Sequence, residues 1–278
     1  MDFKTYIKAV GTGPKGNRDL TYDESKDMMT QILNATATPT QTAALLIGWR
    51  LKPETTEEFS GALSALDSFS VQNEIKNSIE LGYPFDGKAK NPYLLPMICA
   101  ALKSSELNLV IVGDELQPAK GGVTTKELYN SLDKLENLHF FDRKEYLQEL
   151  HLLTDLRNIL GLRSAFNTLE KLPNITNSQF AITGVHHKPY VKKYIEIFGS
   201  RYERFALIQG NEGTPELFKK GTLWIQENDT LSEEIVDPSF YDIKTDDLEG
   251  LAKLNAAILL YVSNKANSIG DAYESIKF

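Results

Sequence analysis

The sequence predicts an α/β protein with an all-helical N-terminal part and a largely parallel sheet behind it. Three observations carry this. Three helix-capping boxes with helical apolar spacing fall in the first 70 residues. From about residue 79 the pattern changes, and short apolar, strand-like runs with a glycine close behind follow, the first at Leu109–Val112. Two of these runs flank a helical segment, the pattern of a β–α–β unit with parallel strands and a right-handed crossover.

The boxes pair Thr21 with Glu24, Thr38 with Gln41 behind the helix-starting Pro39, and Thr55 with Glu58. Behind them Met28, Ile32 and Leu33, then Ala43, Leu46, Ile47 and Trp49, then Phe59, Leu63 and Leu66 recur at helical spacing. These faces read as core or as dimer contact. Leu109–Val112, closed by Gly113, suits a buried strand. Thr124 with Glu127 starts a helix, and Asp142 with Glu145 starts another that continues to Leu160. Phe180–Thr183 and Phe205–Ile208 are the strands of the β–α–β unit, with a helix at Pro189–Phe198 between them. Thr222–Gln226 and Ser232–Val236 suit an edge hairpin. A long helix at Leu248–Val262 and a short one capped by Ser268 close the chain. The division expected is a helical domain over 1–70, with a returning helical segment at 142–172, and an α/β domain over 71–278.

The 278 residues are 41% hydrophobic and 24% charged, a globular composition. Lys and Arg total 30 against 38 Asp and Glu, so the net charge is −8. That excludes a basic nucleic-acid module as a description of the whole chain, but not a local basic groove. Cys99 is the single cysteine, which excludes a disulfide framework or a cysteine zinc site. Met1 to Val10 carries no signal-like apolar stretch. The longest apolar runs, such as Ala256–Val262, fall far short of the ~20 residues that span a bilayer. The expectation is a cytoplasmic protein with no membrane partner.

Several loops have residues that can do chemistry. Gly82–Lys88, ahead of a helix expected near Pro92, is either a phosphate-cradling turn or a plain surface turn. The loop from Gly113 to Thr124 leaves a strand for a helix, the usual ligand position in an α/β sheet. Its Lys120, Gly121 and Gly122 suit an anion, whereas Asp114 and Glu115 repel one. An ordinary strand–helix connection is the alternative. Arg157 and Arg163 flank Leu160-Gly161. Six residues apart, about 600° around a helix, they share a face only if the glycine ends it. Both then point to one cleft as phosphate or carboxylate ligands, or they are solvated helix ends. His186, His187 and Lys188 follow one strand. Glu212 and Glu216 follow the next, as oxygen ligands for a divalent cation or as solvated acids.

In order along the chain, these pieces resemble the anthranilate phosphoribosyltransferase-like family, glycosyl transferase family 3. Leu20–Glu24, Thr38–Gln41 and Leu51–Thr55 are similar to its N-terminal helices. Leu160–Asn167 is similar to its LG-x-R-(T/S)-x-FN segment, and Gly184–Pro189 to its G-V-x-H-P segment. Gln209–Gly213 resembles its HG-x-(D/E)-G segment, and Leu254–Tyr261 its LNAA helix. The resemblance implies a nucleoside phosphorylase/phosphoribosyltransferase-like fold, a homodimer through the N-terminal helices, and use of phosphoribosyl pyrophosphate with Mg²⁺.

The departures fall on the phosphates. The family's GTGGDG loop is here Gly82-Tyr83-Pro84-Phe85-Asp86-Gly87, where Pro84 and Phe85 fill space and remove a donor. The hydroxyl pair at the next helix becomes Leu94-Leu95. HGNR becomes Val112-Gly113-Asp114-Glu115, placing a carboxylate where polyphosphate is expected. At ~4 Å such repulsion costs on the order of 1–4 kcal/mol. The metal-binding Asp-Glu pair becomes Pro215-Glu216. Met1–Lys4, Ile7-Lys8, Arg18–Leu20 and Leu94-Leu95-Pro96 resemble the YbiB-type relatives, which the resemblance associates with nucleic-acid binding.

The resulting expectation is a degenerate phosphoribosyl pyrophosphate site that binds nucleic acid or another polyanion, such as a phosphorylated small molecule. Its binding residues are Asp86, Gly87, Lys88, Lys120, Gly122, Arg157, Arg163, His186 and Lys188, with Glu212 and Glu216 as weak metal candidates. Further basic groove candidates are Lys90, Arg143, Lys144, Lys171, Lys192 and Lys193. The alternative is an active phosphoribosyl- or glycosyl-transferase, a pentosyltransferase, with an unusual acceptor and Mg²⁺. A structural dimer with an empty cleft is the third reading.

Overall fold

The side chains of Thr21, Thr38 and Thr55 each accept a hydrogen bond from the third helical N–H, and their backbone N–H groups donate to the side chains of Glu24, Gln41 and Glu58, so all three capping boxes close. In the computed structural model, which describes residues 1–186 and 188–277, they start α2 (Tyr22–Leu33), α3 (Pro39–Leu51) and α4 (Thr56–Phe69), behind α1 (Phe3–Gly11). Glu58 does more than cap. Its buried carboxylate accepts from Leu20 N (2.8 Å), Trp49 Nε1 (3.1 Å), Thr55 N (2.8 Å) and Lys52 Nζ (3.0 Å), tying the bundle together.

The α/β part runs β1 (Ser78–Gly82), α5 (Leu95–Ala101), β2 (Asn108–Gly113), α6 (Thr125–Ser131) and β3 (Leu138–Asp142). Four short helices follow, α7 (Arg143–Tyr146), α8 (Gln148–His151), α9 (Thr154–Leu160) and α10 (Phe166–Leu169). Then come β4 (Phe180–Gly184), α11 (Pro189–Phe198), β5 (Arg204–Ile208), β6 (Gly221–Glu227), β7 (Thr230–Val236), α12 (Leu248–Val262) and α13 (Ile269–Ser275).

The sheet order is β3-β2-β1-β4-β5-β6-β7, parallel through β5 and antiparallel at β6 and β7. One face packs on α5 and α12 through Leu81, Ile111, Ile182 and Leu254. The other packs through Ala181, Phe205 and Leu207 on α10, α11 and the helical bundle. Strand order reverses between β1 and β4, the switch point whose carboxyl end hosts ligands in open α/β sheets.

Two expectations change and one alternative is decided. The helix expected from Asp142 to Leu160 is broken, because Leu147 leaves helical dihedrals (φ −153°, ψ 67°). The helix expected near Pro92 begins at Leu95. The apolar faces of α2–α4 are core, with Met28, Leu45 and Trp49 each fully buried inside one chain. Exposed apolar residues lie elsewhere, among them Leu51, Leu152, Ile159, Leu162 and Phe240. Among the described residues no helix is long and apolar enough to cross a membrane. Cys99 is buried, and burial pushes its thiol up to about 12, so it is an inert core residue.

Candidate functional site

The loops after β1, β4 and β5 meet the turn between α9 and α10 at the carboxyl end of the switch point. Between them and the ends of α3 and α4 lies a cavity of about 600 Å³. Arg50, Arg163, Lys171 and Lys193 line it against Glu54, Asp86 and Glu212. Four cations thus face three carboxylates in a chain of net charge −8. Tyr190, Tyr194, Phe59 and Pro84 supply apolar wall.

Asp86 is the centre of the charged wall. Arg163 Nε donates to its Oδ2 at 3.0 Å, and a second guanidinium nitrogen of Arg163 donates to the same oxygen. Gly161, at φ 63°, ends α9 and turns Arg163 towards Asp86. Lys120 Nζ stands 3.6 Å from Asp86 Oδ1 and donates to the Glu212 carbonyl at 3.1 Å. Burial pulls the Lys120 ammonium below its ordinary range, against the pull of Asp86 and Glu212.

The glycines serve the loops themselves. Gly87 has φ 74°, and a Cβ there would lie 2.6 Å from the Gly122 carbonyl. Gly122 has φ 148°, and its Cβ would strike the Lys88 backbone. This close approach lets Lys88 and Val123 exchange backbone hydrogen bonds of 2.9 and 3.0 Å. Phe85 occupies the space beneath, in the core, with the Arg143 guanidinium 5.0 Å from its ring.

Both metal candidates are consumed by the fold. Glu216 is fully buried and pairs with Lys88 Nζ, accepts from Tyr83 Oη at 2.9 Å, and accepts from Leu94 N and Leu95 N at 2.9 and 3.1 Å. Burial pushes its carboxyl up, against the pull of Lys88. Glu212 accepts from Ala89 N (2.8 Å), Lys90 N (2.9 Å) and Asn91 N (3.2 Å). Burial opposes its ionisation, but those N–H groups and Lys120 hold its carboxyl below the usual range. Among the described residues no group of three or more His, Cys, Asp and Glu stands ready for a metal. These residues do not fit a Mg²⁺ ion, since every carboxylate oxygen they offer already has donors.

The structure also withdraws four of the basic candidates from the cleft. Lys88 is buried against Glu216. Arg157 is buried and bidentate to Glu170 at 2.6 and 2.9 Å, because the interior carboxylate turns it away from solvent. Arg143 is buried between Asp114 (2.6 Å) and Glu170, and His151 Nδ1 lies 2.8 Å from Asp114. Lys188 is exposed and pairs with Glu233 on β7, outside the cavity. Glu115 points outward and pairs with Lys126 at 2.8 Å. Asp86, Arg163 and His186 do line the cavity, and Lys120 reaches it through Asp86. His187 lies outside the described residues. Arg50 and Glu54 of the helical domain carried no signal in the sequence, because only the tertiary fold brings the end of α3 against the loop at Arg163.

This is the architecture of a phosphoribosyltransferase-like protein, a helical bundle set over the ligand end of an α/β sheet. Residues 4–70 match the glycosyl transferase family helical bundle domain. An uncharacterized protein of Aquifex aeolicus is 32% identical over 203 residues, which cover 70% of this chain and 64% of that protein. Anthranilate phosphoribosyltransferase of Pseudomonas putida is 26% identical over 279 residues, covering 92% of this chain and 77% of the enzyme. The uncharacterized protein YbiB of Escherichia coli is 24% identical, covering 77% of this chain and 72% of its own. Among solved structures, anthranilate phosphoribosyltransferase from Saccharomyces cerevisiae in complex with PRPP and Mg superposes with a TM-score of 0.75 at 15% identity, covering 99% of this chain and 93% of that one. These matches support an anthranilate phosphoribosyltransferase-like assignment, with the glycosyl transferase family helical bundle domain at residues 4–70 and the fold of those enzymes over the whole chain.

Proposed function

We propose that this protein binds a small anionic ligand, phosphorylated or carboxylated, in the cleft between its helical bundle and its sheet, and does not run Mg²⁺-dependent phosphoribosyl transfer to anthranilate. One observation carries this. Glu212 and Glu216, the acids available for a metal, are saturated by backbone N–H groups, Lys88 and Tyr83, while the cavity beside them keeps an excess of cations. Catalysis on a pyrophosphate needs its charge met by metal and donors. Phe85 and the paired loops leave neither in place.

A small ligand fits better than a nucleic acid. A cavity of about 600 Å³ is of small-molecule size. A nucleic-acid groove needs a stripe of free cations, yet Lys88, Arg143 and Arg157 are interior and Lys188 is spent on Glu233. We place the protein in the cytoplasm and as a homodimer, with contact through the exposed Leu51, Ile159 and Leu162 around α3 and α9.

Calorimetry with phosphoribosyl pyrophosphate, with and without Mg²⁺, tests the reading. The expected result is binding that does not need the metal, with no turnover of anthranilate in a coupled assay. Binding that requires Mg²⁺ and is followed by ordinary turnover overturns it.

A further inference from the structure

Five basic residues are buried in the described structure: Lys88, Arg143, Arg157, Lys171 and Arg204. Four of them have a carboxylate at ion-pair distance. Lys171 has none among the described residues. Its Nζ donates to two neutral acceptors, the carbonyls of Gly184 (3.1 Å) and Gly213 (3.2 Å). An ammonium has three N–H donors, so two backbone carbonyls leave one over. A buried charge without a counter-charge is expensive. Lys171 nevertheless sits on the wall of the cavity, with Arg163 and Ser164 on the same wall. Ser164 Oγ is itself buried without a hydrogen-bond partner among the described residues.

We propose that Lys171 is the anion anchor of the cleft: the phosphate or carboxylate of the ligand supplies the counter-charge that the fold withholds from this ammonium, with Ser164 Oγ donating to the same group. The assignment rests on the reading of the cleft as an anion site.

The surrounding groups favour an incoming anion. Asp86, after β1, is bonded to Arg163 through Oδ2 and lies 3.6 Å from Lys120 through Oδ1, an oxygen with no hydrogen-bond partner among the described residues, so two cations offset its charge. Glu212, after β5, is occupied by three N–H groups. Arg163 from the α9–α10 turn and Lys120 from the loop after β2 add positive charge. Tyr194 of α11 presents its ring 5.4 Å from Nζ, and His186 after β4 lines the same cavity. Burial pulls the Lys171 ammonium down to about 7, offset by Asp86 and reinforced by Lys120 and Arg163. An anion binds the protonated form, so above that pH each ligand bound brings a proton with it.

Inorganic sulfate is the probe, because it stays a dianion throughout the range and any titration belongs to the protein. Its affinity for the full chain is measured from pH 6 to 9, with the fold checked by thermal melting. The expected result is a fall of about tenfold for each pH unit above about 7. Lys171→Arg, charged throughout, keeps binding and flattens this profile. Lys171→Gln loses binding at both ends. Wild-type binding that does not change with pH and persists in Lys171→Gln overturns the anchor and leaves the anion cleft standing. If Lys171→Gln does not fold, a Lys171→Arg profile with the wild-type slope overturns the anchor instead, since the titrating group is then His186 or another. A folded wild type that binds neither sulfate nor phosphoribosyl pyrophosphate overturns the anion cleft and the anchor together.

Discussion

Lys88 and Glu216 pair with one another inside the protein, each side chain wholly shielded from water. One comes from the loop after β1 and the other from the loop after β5, so the pair, with the Glu212 bonds to Ala89, Lys90 and Asn91, clamps two loops far apart in the chain. It also settles what Glu216 can do, because Tyr83 and the first N–H groups around α5 take its remaining lone pairs.

Glu216→Ala is therefore expected to act on the fold. It strands a buried ammonium and several donors at once. The expected loss is about 3–5 kcal/mol, read by urea unfolding and equal with and without Mg²⁺. Stabilisation of the wild type by Mg²⁺ that disappears in the variant contradicts this.

Arg157→Ala is expected to cost about 3–5 kcal/mol as well. It removes one of the two guanidinium groups, Arg143 and Arg157, that hold Glu170 in the interior. Arg157→Lys loses the bidentate geometry and falls between. A variant as stable as wild type but weakened in anion binding would place Arg157 in the cleft after all.

Glu80 gives the protein a pH dependence. It is fully buried on β1, where it accepts from Tyr202 Oη and from Asn174 N at 3.1 Å. Burial raises its carboxyl from 4.5 to about 7, against the opposing pull of Tyr202 and Arg201. Below pH 4.5 both folded and unfolded chains hold the proton and Glu80 costs nothing. Between 4.5 and 7 only the folded chain keeps it, so stability falls as pH rises through that window. Above 7 the cost is full, up to about 3 kcal/mol. Relative to wild type, Glu80→Gln should gain on the order of 1–3 kcal/mol between pH 4.5 and 8. Urea unfolding at several pH values checks this, and a constant difference refutes it.

The dimer has a specific test. Ile159 is 83% and Leu51 75% exposed, on two helices that pack together, and an isolated monomer gains nothing from that. Sedimentation should show a dimer at micromolar concentration. Ile159→Asp should shift it to monomer without lowering the melting temperature by more than a few degrees. A monomeric wild type removes the assignment.

Much of the fold is local and was legible for that reason. Capping boxes read themselves within four residues, so α2, α3, α4 and α6 start where Thr21, Thr38, Thr55 and Thr124 say. β2, β4 and β5 are apolar on both faces and stood out. β1 and β3 did not. β1 buries Ser78 and Glu80 within five residues, and β3 is mostly half-exposed, so neither shows an apolar run. On either side of the break at Leu147, Arg143 and Arg157 both reach inward to Glu170, a contact between residues up to 27 apart that no local spacing reports.

The site divides the same way. The sequence by itself determined the helical-bundle-plus-sheet architecture, the starts of α2, α3, α4 and α6, and the strands β2, β4 and β5 that lead to three of the loops. A sequence lists charges but not their partners, and burial decides whether a charge faces a ligand or another residue. Only the tertiary structure turned Lys88, Arg157 and Glu216 into interior ion pairs, brought Arg163 and Lys120 to Asp86, and left Lys171 buried on the cavity wall without a counter-charge among the described residues. Each of those outcomes depends on residues far apart in the chain meeting where water is excluded, which no local pattern encodes.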